Sequence, residues 1–167
     1  MSDRIDWKAA VWAGLIAGIV FMTLEMLLVA TIGGGSPWGP PRMIGAMLLG
    51  PEVLPPPATF DLGVFLVAMV IHFILAIILA IPLAWAISRW RLSLAASIGA
   101  GAVFGLIIYL VNFYGFTALF PWFANARTPI TLFAHLAFGV VLGWTYHALA
   151  VRHFAHEASE ARQHPRE

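Results

Sequence analysis

The chain has 167 residues, of which 61% are apolar and 10% carry a formal charge. Because soluble domains carry roughly 25% charged residues, this composition predicts a protein that a lipid bilayer surrounds. The net charge of +1 gives no indication of nucleic-acid binding, and the lack of cysteine excludes disulfides, thiolate metal sites and thiol catalysis.

Four stretches exceed the length of about 20 apolar residues that crosses the hydrocarbon core of a membrane. The four stretches are residues 9–32, 62–87, 94–119 and 130–151. Glu25 is the only formally charged residue within them. The sequence therefore predicts an all-α, polytopic membrane four-helix bundle over residues 1–153. A polar tail over residues 154–167 follows, which we expect to be a frayed helix or disordered.

The segment between the first two spans, residues 33–61, is long and rich in glycine and proline. Two prolines precede a short apolar run, which predicts a helix of one or two turns that begins near Pro41. This helix is too short to cross the bilayer. We therefore expect it to lie in the membrane interface of the first outer loop, or to dip back into the membrane.

Basic residues near the span ends predict the orientation, because cytoplasmic loops carry an excess of lysine and arginine. Only two basic residues, Arg42 and Arg127, lie on the side of the long loop. The other side carries Arg4, Lys8, Arg89, Arg91, Arg152, Arg162 and Arg166. We therefore expect a multi-pass protein of the bacterial inner membrane with both termini in the cytoplasm. The first apolar stretch is too long for a cleavable signal, so it should remain as a span.

Small residues spaced by four recur in the spans and predict close helix packing, because they let helix backbones approach each other in lipid. The second span has the looser series Ala76, Ala80 and Ala84. The glycine pairs are Gly14 with Gly18, Gly101 with Gly105, and Gly139 with Gly143.

The order of features in the first two spans recurs in the last two. Eleven residues after the first glycine of its pair, the first span carries Glu25 and the third carries Asn112, each on the same helix face as its glycines. The second span carries His72 four residues before Ala76, and the fourth carries His135 four residues before Gly139. This order indicates a parallel repeat of two hairpins, with coincidence in a low-complexity chain as the alternative.

Glu25, His72, Asn112 and His135 lie at comparable depth, roughly 8–15 Å below the outer boundary at 1.5 Å per residue. A carboxylate that faced lipid there would be costly, so Glu25 should point into the bundle. We expect the four side chains to meet. They would either satisfy one another and fix the helix register, or form a site that binds or moves a proton or a small ligand.

Histidines at similar depth on the second and fourth spans also permit cofactor hypotheses. In the first, His72 and His135 are the axial ligands of a b-type haem in a membrane redox subunit, with Ala76 and Gly139 leaving room for the porphyrin. In the second, these two residues and Glu25 hold a non-haem metal ion. No catalytic triad, phosphate-binding loop or zinc-protease motif is present in the sequence, so we expect no enzyme.

Residues 109–122, YLVNFYGFTALFPW, and residues 50–63, GPEVLPPPATFDLG, resemble short bacterial inner-membrane proteins of unknown function. Some of those proteins carry an automatic label of sodium:proline symporter. The resemblance implies a small membrane-embedded fold and no particular mechanism. Because a bundle of this size leaves little room for a solute path, a transport role would call for a homo-oligomer or a larger membrane complex.

Overall fold

The computed structural model describes residues 4–54 and 56–163, without the side chains of residues 155–158 and 160–163. Within these residues the protein is helical and contains no strand. In chain order the α-helices are α1 (Trp7–Thr31), α2 (Gly39–Leu49), α3 (Leu62–Arg89), α4 (Leu94–Leu110) and α5 (Pro129–Gln163).

The described residues contain four helices that are long and apolar enough to cross a membrane. Their bounds are Trp7–Thr31, Leu62–Arg89, Leu94–Ala118 and Pro129–Phe154. This confirms the predicted all-α fold with four spans and makes the chain a multi-pass membrane protein. The exposed faces of these helices carry large apolar side chains such as Val70, Ile74 and Val103, as expected for surfaces in contact with lipid.

Side chains immediately before the spans cap the free backbone N–H groups of the first turns. Asp6 accepts a hydrogen bond from the backbone of Ala9, Asp61 from that of Val64, and Ser93 from that of Ala96. Such caps fix where the helices α1, α3 and α4 begin. The short helix predicted near Pro41 is α2, which starts two residues earlier with prolines in its first turn. Its 11 residues make about three turns, so it is longer than the predicted one or two turns.

The third and fourth spans differ from the prediction at their ends. The third span does not continue as one α-helix to residue 119. The helix α4 ends at Leu110, and a π-helical turn (Val111–Gly115) and a 3-10 turn (Phe116–Ala118) follow it. The helix α5 runs on to Gln163 without a break, so the predicted tail is helical up to that residue. The rest of the tail lies outside the described residues.

The four spans lie in the order α3, α1, α5, α4 around the bundle. The helix α5 packs against α4 and α1, and α1 packs against α3. The helices α3 and α4, in contrast, barely touch. The short helix α2 packs against α3 at the end of the bundle that holds the long loop, which we call the loop end. The opposite end, which holds the α3–α4 turn, we call the terminal end.

The closest backbone approach joins α4 to α5. A Cβ atom on Gly101 would overlap the carbonyl group of Gly139, and one on Gly105 would overlap the carbonyl of His135. Across the other hairpin, a Cβ atom on Gly14 would lie 2.9 Å from the carbonyl oxygen of Ala76. The glycines let these backbones meet, and dispersion between the touching surfaces holds the helices together in lipid.

A buried polar network joins α1, α3 and α5 at the terminal end. The backbone N–H of Asp6 donates to Tyr146 Oη at 3.2 Å, and the Tyr146 hydroxyl lies 2.6 Å from Ser88 Oγ. The carboxylate of Asp6 also lies 2.7 Å from His153 Nδ1. Either of the two hydroxyls can be the donor in the bond between Tyr146 and Ser88, and each of these groups has a partner in the network.

We expect the substitution Gly101→Leu to lower the free energy of unfolding by at least about 1–3 kcal/mol, because the new side chain must push apart two backbones that now touch. Gly99→Leu is the matched control, since a Cβ atom on Gly99 meets nothing within 4 Å among the described residues. Unfolding in detergent, followed by circular dichroism, measures both. Equal stability of the two variants would contradict the close contact.

Candidate functional site

The gap between α3 and α4 is a cavity of about 460 Å³, which we call the cleft. Its walls come from the two helices, and its floor is formed by Phe21 of α1 with His135 and Phe138 of α5. Rim residues such as Ile78 and Ile107 are exposed on the outside of the bundle. The cleft is therefore open on the side where the helices face lipid.

Short segments close the cleft at the loop end. Met47 of α2, Phe116 of the turn after α4, and Phe120 and Phe123 of the following loop all line it. The indole N–H of Trp122 donates to the carbonyl of Met43 at 3.0 Å, which ties this loop to α2. The cleft is thus covered from the membrane surface and most accessible from the bilayer.

His72, Asn112 and His135 are the polar residues that line the cleft in the described part of the chain. The ring of His72 is buried, and its Nε2 atom lies 2.9 Å from the carbonyl oxygen of Gly18 on α1. Since a carbonyl can only accept, Nε2 carries the proton of the uncharged ring and donates. The second ring nitrogen, Nδ1, then keeps a free lone pair.

His135 and Asn112 form a bonded pair across α5 and the π-helical turn. His135 Nδ1 lies 2.8 Å from the carbonyl oxygen of Thr131, and His135 Nε2 lies 3.3 Å from Asn112 Nδ2. The carbonyl of Thr131 fixes the proton on Nδ1, so Nε2 accepts from the amide of Asn112. Both ring nitrogens of His135 are therefore satisfied within the protein.

The π-helical turn that carries Asn112 is held by Arg127. The guanidinium donates from Nε to the carbonyl of Phe113 at 2.7 Å and lies 4.5 Å from the ring centre of Tyr114. These contacts tie the π-helical turn to the loop that carries Arg127. Helical turns of this type recur at functional sites, where they redirect a side chain.

Glu25 points into the bundle and is 5% exposed, but it does not line the cleft. Its Oε1 atom accepts a hydrogen bond of 2.7 Å from the hydroxyl of Thr131, which also lies 3.1 Å from Thr128 Oγ1. Its Oε2 atom is enclosed and has no hydrogen-bond partner among the described residues. Enclosing a carboxyl oxygen without a partner is costly, and the cost is larger for the charged form of the group than for the neutral form.

The four predicted site residues are thus close to one another but are not one cluster. Asn112 bonds to His135, His72 bonds to the backbone of α1, and Glu25 bonds to Thr131, one turn before His135. Thr131 links Glu25 to His135 through two different groups, its hydroxyl and its carbonyl. A carbonyl does not pass a proton on, so this link positions the side chains and is not a proton relay.

The residues do not fit a haem held by two histidines. Gly139, which was expected to leave room for a porphyrin, lies against the backbone of Gly101. The ring of Phe21 packs against both imidazoles, with centroid distances of 5.5 Å to His72 and 4.7 Å to His135. His135 would also have to give up a hydrogen bond to ligate iron. A three-ligand metal site is likewise not formed by histidine, aspartate or glutamate side chains in the described part of the chain.

Two residues of this region, Phe21 and Thr131, were not predicted from the sequence. Phe21 lies one helical turn before Glu25, and Thr131 lies one turn before His135. Spacing by four therefore placed both of them on the faces of the predicted polar residues. An apolar ring and a threonine in a membrane helix are common, so the signal identified a face but no partner.

Comparison with protein-family models matches residues 6–156 to a family of unknown function, DUF6789. Neither a curated protein nor a solved structure matches the chain. These findings agree with the resemblance to short proteins of unknown function and give no support to the symporter label. Four spans are also too few for the broken-helix sodium site of such transporters.

Proposed function

We propose, for a chain that belongs to the DUF6789 family of unknown function, that it binds an uncharged lipophilic molecule in the cleft between α3 and α4. The observation that carries the proposal is a gap between two membrane helices with apolar walls and three polar residues on its inner side. Pockets of this size, apolar with a few convergent polar groups, are typical of small-molecule sites. We propose a binding role rather than an enzymatic one.

The walls of the cleft select against charge. In the described part of the chain none of its lining residues is an aspartate, glutamate, lysine or arginine. An ion in this apolar space would lose its hydration without a countercharge, which costs several kcal/mol or more. An uncharged molecule avoids this cost and reaches the cleft directly from the bilayer through the exposed rim.

We also propose that the protein lies in the bacterial inner membrane with its terminal end in the cytoplasm. The support is the excess of basic residues at that end, which follows the positive-inside rule. If the bound molecule is also moved across the membrane, we expect a homo-oligomer or a larger complex, because a bundle of 167 residues leaves little room for a solute path.

We expect Ile107→Trp to lower the affinity for lipophilic ligands at least about tenfold, because the indole would occupy the rim of the cleft. Binding can be measured by native mass spectrometry of the protein released from bacterial membranes, which reports the molecules that remain bound. Val103→Trp is the matched control, since Val103 is exposed on the same helix one turn earlier and does not line the cleft. Equal occupancy in both variants would argue against the cleft as the binding site.

The orientation can be tested with introduced cysteines, because the natural chain has none. We expect Asn125→Cys, at the loop end, to react with a membrane-impermeant maleimide in spheroplasts. Ser159→Cys, in the last part of α5, should react only after the membrane is opened. The reverse labelling pattern would place the termini outside the cytoplasm.

A second candidate function, supported by the enclosed Oε2 atom of Glu25, is the uptake and release of a proton at this carboxyl group. Glu25→Gln keeps an acceptor for the hydroxyl of Thr131 but removes the titrating group. We expect it to abolish any proton flux that the wild-type protein supports in vesicles loaded with a pH-sensitive dye. Flux that is unchanged in this variant would rule out Glu25 as the proton site.

A further inference from the structure

We propose that the ligand of the cleft is a lipophilic phenol or alcohol whose hydroxyl group donates a hydrogen bond to Nδ1 of His72. This inference rests on the proposed function and names the chemistry of the molecule that the cleft takes. It follows from the hydrogen-bonding groups that the protein leaves free at the polar side of the cleft.

His72 supplies an acceptor. Its Nε2–H is used by the carbonyl of Gly18, so Nδ1 presents a lone pair. No hydrogen bond to Nδ1 forms within the described residues, and this atom is not among the enclosed unpaired atoms, which are Glu25 Oε2 and Thr145 Oγ1. Because His72 lines the cleft, its free nitrogen is accessible to a molecule bound there.

Asn112 supplies one donor and one further acceptor. One N–H of its amide is used by His135 Nε2, which leaves the second N–H and the oxygen Oδ1. The ring of His135 has no free donor or acceptor, since both of its nitrogens form hydrogen bonds within the protein. The free groups around the cleft are therefore two acceptors and one donor.

This set matches a hydroxyl group better than a carbonyl or an ether. A carbonyl can accept from Asn112 but leaves the lone pair of His72 without a partner in an apolar space, where an unpaired polar group is costly. A hydroxyl can donate to one of the two acceptors and still accept from the amide. The ligand must therefore bring a hydrogen-bond donor into the cleft.

The side chains that form the walls of the cleft indicate the apolar part of the ligand. Aromatic rings from several elements surround the cleft, among them Phe104, Phe113, Phe116 and Phe138. Aromatic rings favour offset or edge contacts with other rings, which a phenol can form. The exposed rim then leaves space for an alkyl or isoprenoid chain to extend into the bilayer.

The experiment compares a para-alkylphenol with its methyl ether, which has the same shape but no O–H donor. Wild-type protein in lipid nanodiscs is titrated with the tritiated phenol, and each compound is then used as a competitor in a scintillation-proximity assay. We expect the ether to bind at least about tenfold more weakly, since it leaves the acceptor of His72 unpaired.

The variant His72→Phe removes the acceptor but keeps a planar ring against Phe21. We expect it to weaken phenol binding about tenfold and to bind the phenol and the ether equally well. His147→Phe is the matched control, because His147 lies on α5 away from the cleft and bonds to Ser97. It should bind both compounds as the wild-type protein does.

The outcomes separate this inference from the function on which it rests. If wild-type protein binds phenol and ether with the same affinity, and Ile107→Trp weakens both, the cleft binds lipophilic molecules but the hydroxyl inference is wrong. If neither compound binds, or Ile107→Trp has no effect on binding, the proposed function itself fails. Should His72→Phe not fold, the comparison of the two compounds on wild-type protein still decides.

Discussion

The close approach of α4 and α5 is the contact on which the rest of the structure depends. Gly101 and Gly139 face each other so tightly that neither can carry a side chain. In lipid, where water does not drive helices together, contact of this kind supplies most of the attraction. Because α5 also packs against α1, it becomes the central helix of the bundle. Among the other spans the helix α3 packs mainly against α1 and is left apart from α4, which creates the cleft.

The first hairpin consists of α1 and α3, and the second consists of α4 and α5. Both place a glycine of one helix beside a histidine of the other, but the contacts between the two hairpins are not symmetric. Gly18 lies beside His72 in the first hairpin, as Gly105 lies beside His135 in the second. In a symmetric pair of repeats the contact of α1 with α5 would be matched by one of α4 with α3. Only the former is closed. If the predicted duplication occurred, one of two equivalent interfaces has opened, and the polar residues at its inner side are free to meet a ligand.

The buried polar residues divide into those that hold the helices and those that keep free groups. Thr131 donates a hydrogen bond to one oxygen of Glu25 and accepts one from the ring of His135. It does not line the cleft. His72 and Asn112 each use part of their hydrogen-bonding capacity for the protein and leave the remainder in an apolar space. Because unpaired polar groups are costly in an apolar space, the free groups of His72 and Asn112 favour a ligand that forms hydrogen bonds with them.

The sequence by itself determined the four spans, the short helix α2 and the inward direction of Glu25, because hydropathy and the cost of a charge in lipid act locally along the chain. It also placed His72, Asn112 and His135 at one depth. Only the tertiary structure decided that Thr131 is the partner of Glu25 and that a cleft lies between α3 and α4. It also decided that the ring of Phe21 packs against both imidazoles that were predicted to ligate a haem. These features depend on which helix faces meet, and hydropathy, being nearly uniform around such apolar helices, does not encode that choice.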